Sequence, residues 1–125
     1  MDDPRRFLPL TPQQFHILLA LTDGDRHGYG IIGDVADRTG GDLRLGTGTL
    51  YTAIARLVSS GLIADSSRRG ERRGAGDDDR RRYYRLTPLG RTVLEAETER
   101  LRALVDHARR MGVHPLGRAT LARSR

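Results

Sequence analysis

Residues 46–58, Gly46-Thr47-Gly48-Thr49-Leu50-Tyr51-Thr52-Ala53-Ile54-Ala55-Arg56-Leu57-Val58, hold the pattern on which the fold turns. Leu50, Ile54, Leu57 and Val58 fall at i, i+4, i+7 and i+8, a single apolar stripe if the segment is helical. The opposite side then carries Thr47, Thr49, Thr52, Ala53 and Arg56. Thr47 is the expected N-cap, and Gly61 stands where a glycine in the left-handed conformation closes a helix. The outward side chains suit the edge of a nucleic acid. Threonine donates or accepts a hydrogen bond and offers a methyl to thymine, and arginine grips a phosphate or a guanine. Glycines at 46 and 48 would let a phosphate approach the backbone of the first turn, where unsatisfied amides favour negative charge. Read on spacing alone, the same residues also serve as a turn and caps.

Working outward, residues 28–38 put Tyr29, Ile32 and Ala36 at helical spacing, with Ile31 and Val35 beside them, and Gly40-Gly41 stops the segment. Further upstream, Thr11-Pro12-Gln13-Gln14 reads as a helix start: Thr11 caps, Pro12 suits the first helical position, and Gln14 completes a capping box. Phe15, Ile17, Leu18, Leu19 and Leu21 follow, apolar on most sides, so a buried helix over about 12–22 is predicted, ended by Asp23-Gly24-Asp25.

Downstream, Leu62-Ile63-Ala64-Asp65 and Arg82-Tyr83-Tyr84-Arg85-Leu86 predict a two-stranded hairpin. Its loop, residues 66–81, is long and rich in glycine and charge, and its tip is expected to be mobile. Arg68, Arg69, Arg72 and Arg73 precede the acidic run Asp77-Asp78-Asp79, and Arg80, Arg81, Arg82 and Arg85 follow it. Such a wing can track a phosphate backbone or enter the minor groove, with Arg68, Arg69, Arg80, Arg81 and Arg82 the candidates. The alternative is a solvated loop whose charges neutralise one another. Thr87-Pro88 then repeats the cap-and-proline signal. The stretch to Gly112 carries Leu94, Leu101, Leu104, Val105, Ala108 and Met111 along one side, a stripe with no partner in so small a chain, and is expected to pack on its equivalent in a second chain.

The order of these elements predicts a mainly α fold with a small β hairpin (α+β), a winged helix-turn-helix with a C-terminal dimerisation helix. Its expected divisions are an N-terminal arm (1–10), a DNA-binding domain (11–87), the dimerisation helix (88–112) and a loose basic tail (113–125). In this architecture the second helix of the motif enters the major groove. Thr47, Gly48, Thr49, Tyr51, Thr52 and Arg56 are therefore the candidate DNA-reading residues.

Composition agrees. The 125 residues, 37% hydrophobic and 30% charged, fit one small domain whose core gains from burial against a partner. The formal charge of +6 comes from 22 basic residues, all arginine, against 16 acidic ones, and favours a polyanionic partner. No cysteine is present, which excludes disulfides, thiolate metal sites and cysteine nucleophiles. The N-terminus leads into no signal-like apolar run and no stretch approaches the length of a membrane span, so no membrane association and a cytoplasmic location are expected. An enzyme is not expected: no phosphate-binding glycine loop or nucleophile with a neighbouring base is present. His16, His27, His107 and His114 lack metal-ligand spacing, and neither a metal nor a cofactor is implied. The rival within the same fold is a winged-helix protein-interaction module without specific DNA binding.

His27-Gly28-Tyr29-Gly30-Ile31-Ile32, Gly48-Thr49-Leu50-Tyr51, Arg56-Leu57, Gly61-Leu62-Ile63 and Arg82-Tyr83-Tyr84-Arg85-Leu86-Thr87-Pro88-Leu89-Gly90 together resemble the successive signatures of PadR-type regulators, over about residues 11–112. The resemblance implies a homodimeric repressor that binds a palindromic operator in double-stranded DNA and is released by a small aromatic or drug-like effector. It puts Tyr51 and Arg56 on or beside the DNA face, Tyr51 with a competing core role, and makes Tyr83-Tyr84 the anchor of the second wing strand. Thr52 departs from the proline the family often has there, the wing is longer than usual, and the absence of tryptophan removes a stacking site built on that residue.

Overall fold

The computed structural model describes residues 3–66 and 82–117. A 3-10 turn at Pro4–Phe7 leads into helix α1 (Pro12–Ala20), strand β1 (Arg26–His27), helices α2 (Gly28–Arg38) and α3 (Thr47–Ser59), strands β2 (Ile63–Asp65) and β3 (Tyr83–Leu86), and helix α4 (Pro88–Arg110). This is the predicted winged helix-turn-helix, mainly α with a small sheet.

Helix starts are set largely by side-chain caps. Thr11 Oγ1 accepts the Gln14 N–H at 3.1 Å and Gln14 Oε1 accepts the Thr11 N–H at 2.9 Å, closing the predicted capping box on α1. Thr87 Oγ1 accepts the Gly90 N–H at 2.9 Å at the start of α4. At α2 the cap is His27, whose Nδ1 accepts the Gly30 N–H at 3.0 Å. Helix α3 corrects the expectation for Thr47: the cap position belongs to Gly46, with no side-chain cap bond, and Thr47 is the first helical residue. The Gly46 carbonyl already accepts the Leu50 N–H at 2.9 Å, so the helical register begins one residue earlier than the threonine suggested. Gly40 (φ 64°), Gly41 (φ 86°) and Gly61 (φ 82°) end α2 and α3 in the left-handed region, as their positions implied.

The core is built from Ile17 and Leu18 of α1, Ile31 and Val35 of α2, Leu50, Ile54 and Leu57 of α3, Leu62 and Ile63 entering β2, Tyr84 of β3, and Val93 and Leu94 of α4. In α2 and α3 the predicted stripes depart from it in places. Val58 is 39% exposed at the end of α3, and in α2 the buried line is Ile31 and Val35 while Tyr29 is 46% exposed. The hairpin is part of a three-stranded antiparallel sheet in the order β1-β3-β2, with Asp65 opposite Tyr84 and Tyr84 opposite Arg26. The short strand β1 adds an edge that a two-residue Arg-His segment could not announce by alternation. The segment expected as an N-terminal arm folds against α4, with Leu10 buried and Phe7 and Leu8 packed on the core.

Candidate nucleic-acid interface

Burying Leu50, Ile54 and Leu57 against α1 and α2 fixes which way α3 faces. Thr47, Gly48, Thr49, Thr52 and Arg56 are all exposed on its outer side, and Ala53 is half-buried. Five of the six residues predicted for the reading face therefore stand together. Tyr51 does not: its hydroxyl is buried and its ring lies across Gly28 at the start of α2. A Cβ at Gly28 would overlap the Tyr51 hydroxyl and come within 2.6 Å of its Cζ, so a side chain larger than hydrogen there would dislodge the ring. Tyr51 thus fills the seam between α2 and α3, the competing role expected for it, from a half-buried position beside the exposed face.

The outer hydroxyls differ from five others in or at the ends of the described helices. Thr22, Thr39, Ser60, Thr92 and Thr98 each donate back to a main-chain carbonyl one turn earlier, at 2.8–3.1 Å. Among the described residues no such bond engages Thr47, Thr49 or Thr52, and no carboxylate pairs with Arg56. Donors and acceptors not committed within the chain are thus gathered on one helix face. A Cβ at either Gly46 or Gly48 would meet no atom within 4 Å, so the space over this first turn is open.

A groove of about 390 Å³ runs beside this face, and its far wall is the first turn of α1. Thr11, Gln13 and Gln14 line it opposite Thr49, Thr52 and Arg56. Sequence reasoning missed this contribution, because the pattern at 11–14 speaks only of where a helix begins and not of what it lies beside.

On the wing, Arg82 forms an ion pair with Asp65 at 2.9 Å, which ties the two strands where they leave the sheet. Its charge is thereby partly balanced within the chain. Arg85 is exposed in β3, opposite Ala64. The other predicted wing contacts, Arg68, Arg69, Arg80 and Arg81, lie outside the described residues, as do Arg72, Arg73 and the aspartates 77–79. A second groove, about 740 Å³, lies between the end of α3 and the wing strands, lined by Tyr51, Ile54, Val58, Asp65, Arg82 and Tyr84 among others.

The residues predicted for dimerisation divide. Leu94 is only 5% exposed, within the chain's own core beside Val93. Past that point Leu101, Leu104, Val105 and Met111 are exposed, and Ala108 is half-buried. Between the two groups Glu97 is a buried carboxylate, unexpected on a helix read as apolar inside and polar outside. Arg100 holds it through two hydrogen bonds, Nε to Oε1 at 2.7 Å and Nη2 to Oε2 at 2.8 Å. Hydrogen bonding and charge from Arg100, helped by the Leu10 backbone amide, outweigh burial and keep the carboxyl below the usual glutamate value. The N-terminal segment is thus joined to α4 at a polar point inside the fold. Among the described residues no helix is long and apolar enough to cross a membrane.

The model of the transcriptional regulator PadR-like family matches residues 17–96, which contain the whole helix-turn-helix, both wing strands and the start of α4. The chain is similar, at 37% identity over 91 residues, to an uncharacterized 37.1 kDa protein in transposon TN4556 of Streptomyces fradiae; that match takes in 73% of this chain and spans 23% of the relative's length. Among solved structures it is similar to a transcriptional regulator from Clostridium thermocellum (28% identity, TM-score 0.62, 78% of this chain and 87% of that one). It is also similar to a PadR family transcription regulator from Clostridium difficile (27% identity, TM-score 0.64, 81% and 98%). The fold is shared as well with Bacillus subtilis PadR in a complex with operator DNA (22% identity, TM-score 0.57, 70% and 47%).

Proposed function

From the fact that this chain belongs to the PadR-like family of transcriptional regulators, we propose that it binds a specific double-stranded operator as a homodimer, with α3 in the major groove, and represses transcription from it. The observation that carries the reading is the outer face of α3, where exposed threonines and Arg56 have no bond within the described chain. Hydroxyls, a guanidinium and an open first turn are what base edges and phosphates require. The fold shared with the operator-bound Bacillus subtilis protein supports the same docking.

Dimerisation is supported by the far half of α4, where Leu101, Leu104 and Val105 leave a continuous apolar face exposed on a helix that has already passed its own core. Two α3 helices related by a twofold axis read an inverted repeat, with half-sites about 34–36 Å apart. Release by a small aromatic or drug-like molecule belongs to the same reading. The groove between α3 and the wing has the size and apolar lining of a small-molecule site, and a ligand there would bear directly on both DNA-facing elements.

The test is a titration of the protein against the DNA upstream of its own gene and against an unrelated duplex, at several salt concentrations, with Arg56→Ala in parallel and the mass of the complex measured by sedimentation. Selective binding by two chains per duplex, weakening steeply with salt and damaged by the substitution, is the expected result. Equal, weak binding to both duplexes would overturn it and favour an interaction module on the same fold.

A further inference from the structure

We propose that Gln13 is a second reading residue: from the first turn of α1, across the groove from α3, it recognises a base edge next to those met by Thr52 and Arg56. The inference deepens the DNA-binding reading and rests on it.

Thr49, Thr52, Ala53 and Arg56 fall at i, i+3, i+4 and i+7, so the wall they form is one straight stripe of α3. Gln13 stands on the opposite wall of the same groove. Its neighbours are committed: Pro12 has no N–H, and Thr11 and Gln14 hold each other in the capping box. The Gln13 carboxamide has no hydrogen bond among the described residues, although the side chain is half-buried. A long polar side chain that is partly enclosed and still unengaged has less rotamer freedom left to lose when a ligand arrives.

The chemistry favours a base over a phosphate. A carboxamide offers a donor and an acceptor side by side, matching N7 and the N6 amino group of adenine in the major groove. Being neutral, it releases no counterion and adds nothing to the general attraction for the backbone. Its platform is rigid, since Ile17 and Leu18 anchor α1 in the core a turn away.

The experiment is selection of bound duplexes from a randomised pool by the wild-type chain, Gln13→Ala and Gln13→Glu, followed by affinity measurements on the wild-type consensus over a salt series. Wild type is expected to select adenine at one symmetry-related pair of positions that Gln13→Ala leaves unspecified. Gln13→Ala should bind the wild-type consensus more weakly by about 5- to 150-fold for each of the two half-sites, the discrimination of one bidentate base contact apiece, with an unchanged salt slope. Gln13→Glu should move the preference at that position toward cytosine, whose N4 amino group donates. A carboxylate in the first turn also suits the helix dipole, so this variant keeps its fold and separates misreading from unfolding. Identical consensus sequences from all three proteins would overturn the inference, whether affinity is unchanged or lowered equally on every sequence. If wild type selects no consensus at all, the DNA-binding reading fails and the inference falls with it.

Discussion

Replacing Gly48 by alanine is expected to make the protein more stable and a poorer DNA binder. Gly48 is the second residue of α3, its φ is not in the left-handed region, and an added Cβ would meet no atom within 4 Å. Nothing in the fold therefore requires glycine there. Gly→Ala at a compatible site stabilises by about 0.4–1 kcal/mol, chiefly by restricting the unfolded chain. With an unfolding entropy of about 2.1 cal/mol/K per residue over roughly 100 ordered residues, Tm should rise by about 2–5 °C. On DNA the same methyl stands where a phosphate would approach the first-turn amides. Displacing that phosphate removes a charge-assisted hydrogen bond of about 1.5–3 kcal/mol, a loss of at least tenfold in affinity. Thermal melting by circular dichroism and fluorescence anisotropy on the operator duplex read the two effects separately. A variant that melts higher and binds like wild type would refute the idea that the open first turn serves close approach. One that melts lower would refute the claim that the space is open.

Gly90→Ala provides the opposite case: its Cβ would overlap the Leu62 carbonyl oxygen and lie 2.9 Å from the carbonyl carbon, where Thr87 also bonds at 3.0 and 3.1 Å. Overpacking of about 1–3 kcal/mol together with loss of these bonds should lower Tm by roughly 10 °C or more, measured in the same melt. Glu97→Gln is expected to lower stability at neutral pH and to narrow its deficit in acid. The folded pKa of Glu97 lies below the ordinary value of 4.5, so the stabilisation it gives is present above that value and is lost as pH falls through the depressed one. Urea unfolding of both proteins between pH 7 and pH 3 checks this; a gap constant with pH would show that the Glu97 charge contributes nothing.

The sequence displays the fold where a residue type has one physical use at one place. The capping box at Thr11 and Gln14, the cap-and-proline at Thr87-Pro88 and the glycines after α2 and α3 are local devices, and each is found where the pattern put it. Misreadings arise where a tertiary neighbour decides. Tyr51 sits on a polar-looking side of α3, yet Gly28 in another helix leaves room for its ring and draws it inward. Val58 matches the α3 stripe, but the helix ends at Ser59 and the stripe runs past the core. The outer face of α3 was legible because it is the complement of a stripe. The place of Gln13 opposite that face was not, since it depends on α1 and α3 lying side by side, a relation that no local pattern contains.

Helix α4 argues for the assembly by its length. Its 23 residues extend about 34 Å at 1.5 Å per residue, longer than a core of this size can cover. The helix accordingly changes character along its course. Val93, Leu94 and Glu97 face the protomer's own interior, and from Leu101 to Met111 the large apolar side chains are 37% to 71% exposed. Arg102 with Glu99 and Asp106 forms ion pairs on α4 just where this apolar face begins. Charge on this stretch is thus paired along the helix itself, beside the apolar face. The wing and α4 also share the Leu62–Thr87–Gly90 junction, where the Leu62 carbonyl accepts from both the N–H and the hydroxyl of Thr87. A change in how two copies of α4 cross would therefore act on β2, and through β2 on the end of α3 it packs against. The proposed dimer interface and the proposed DNA face would in this way be joined through the bonds of Thr87 to the Leu62 carbonyl at one strand end.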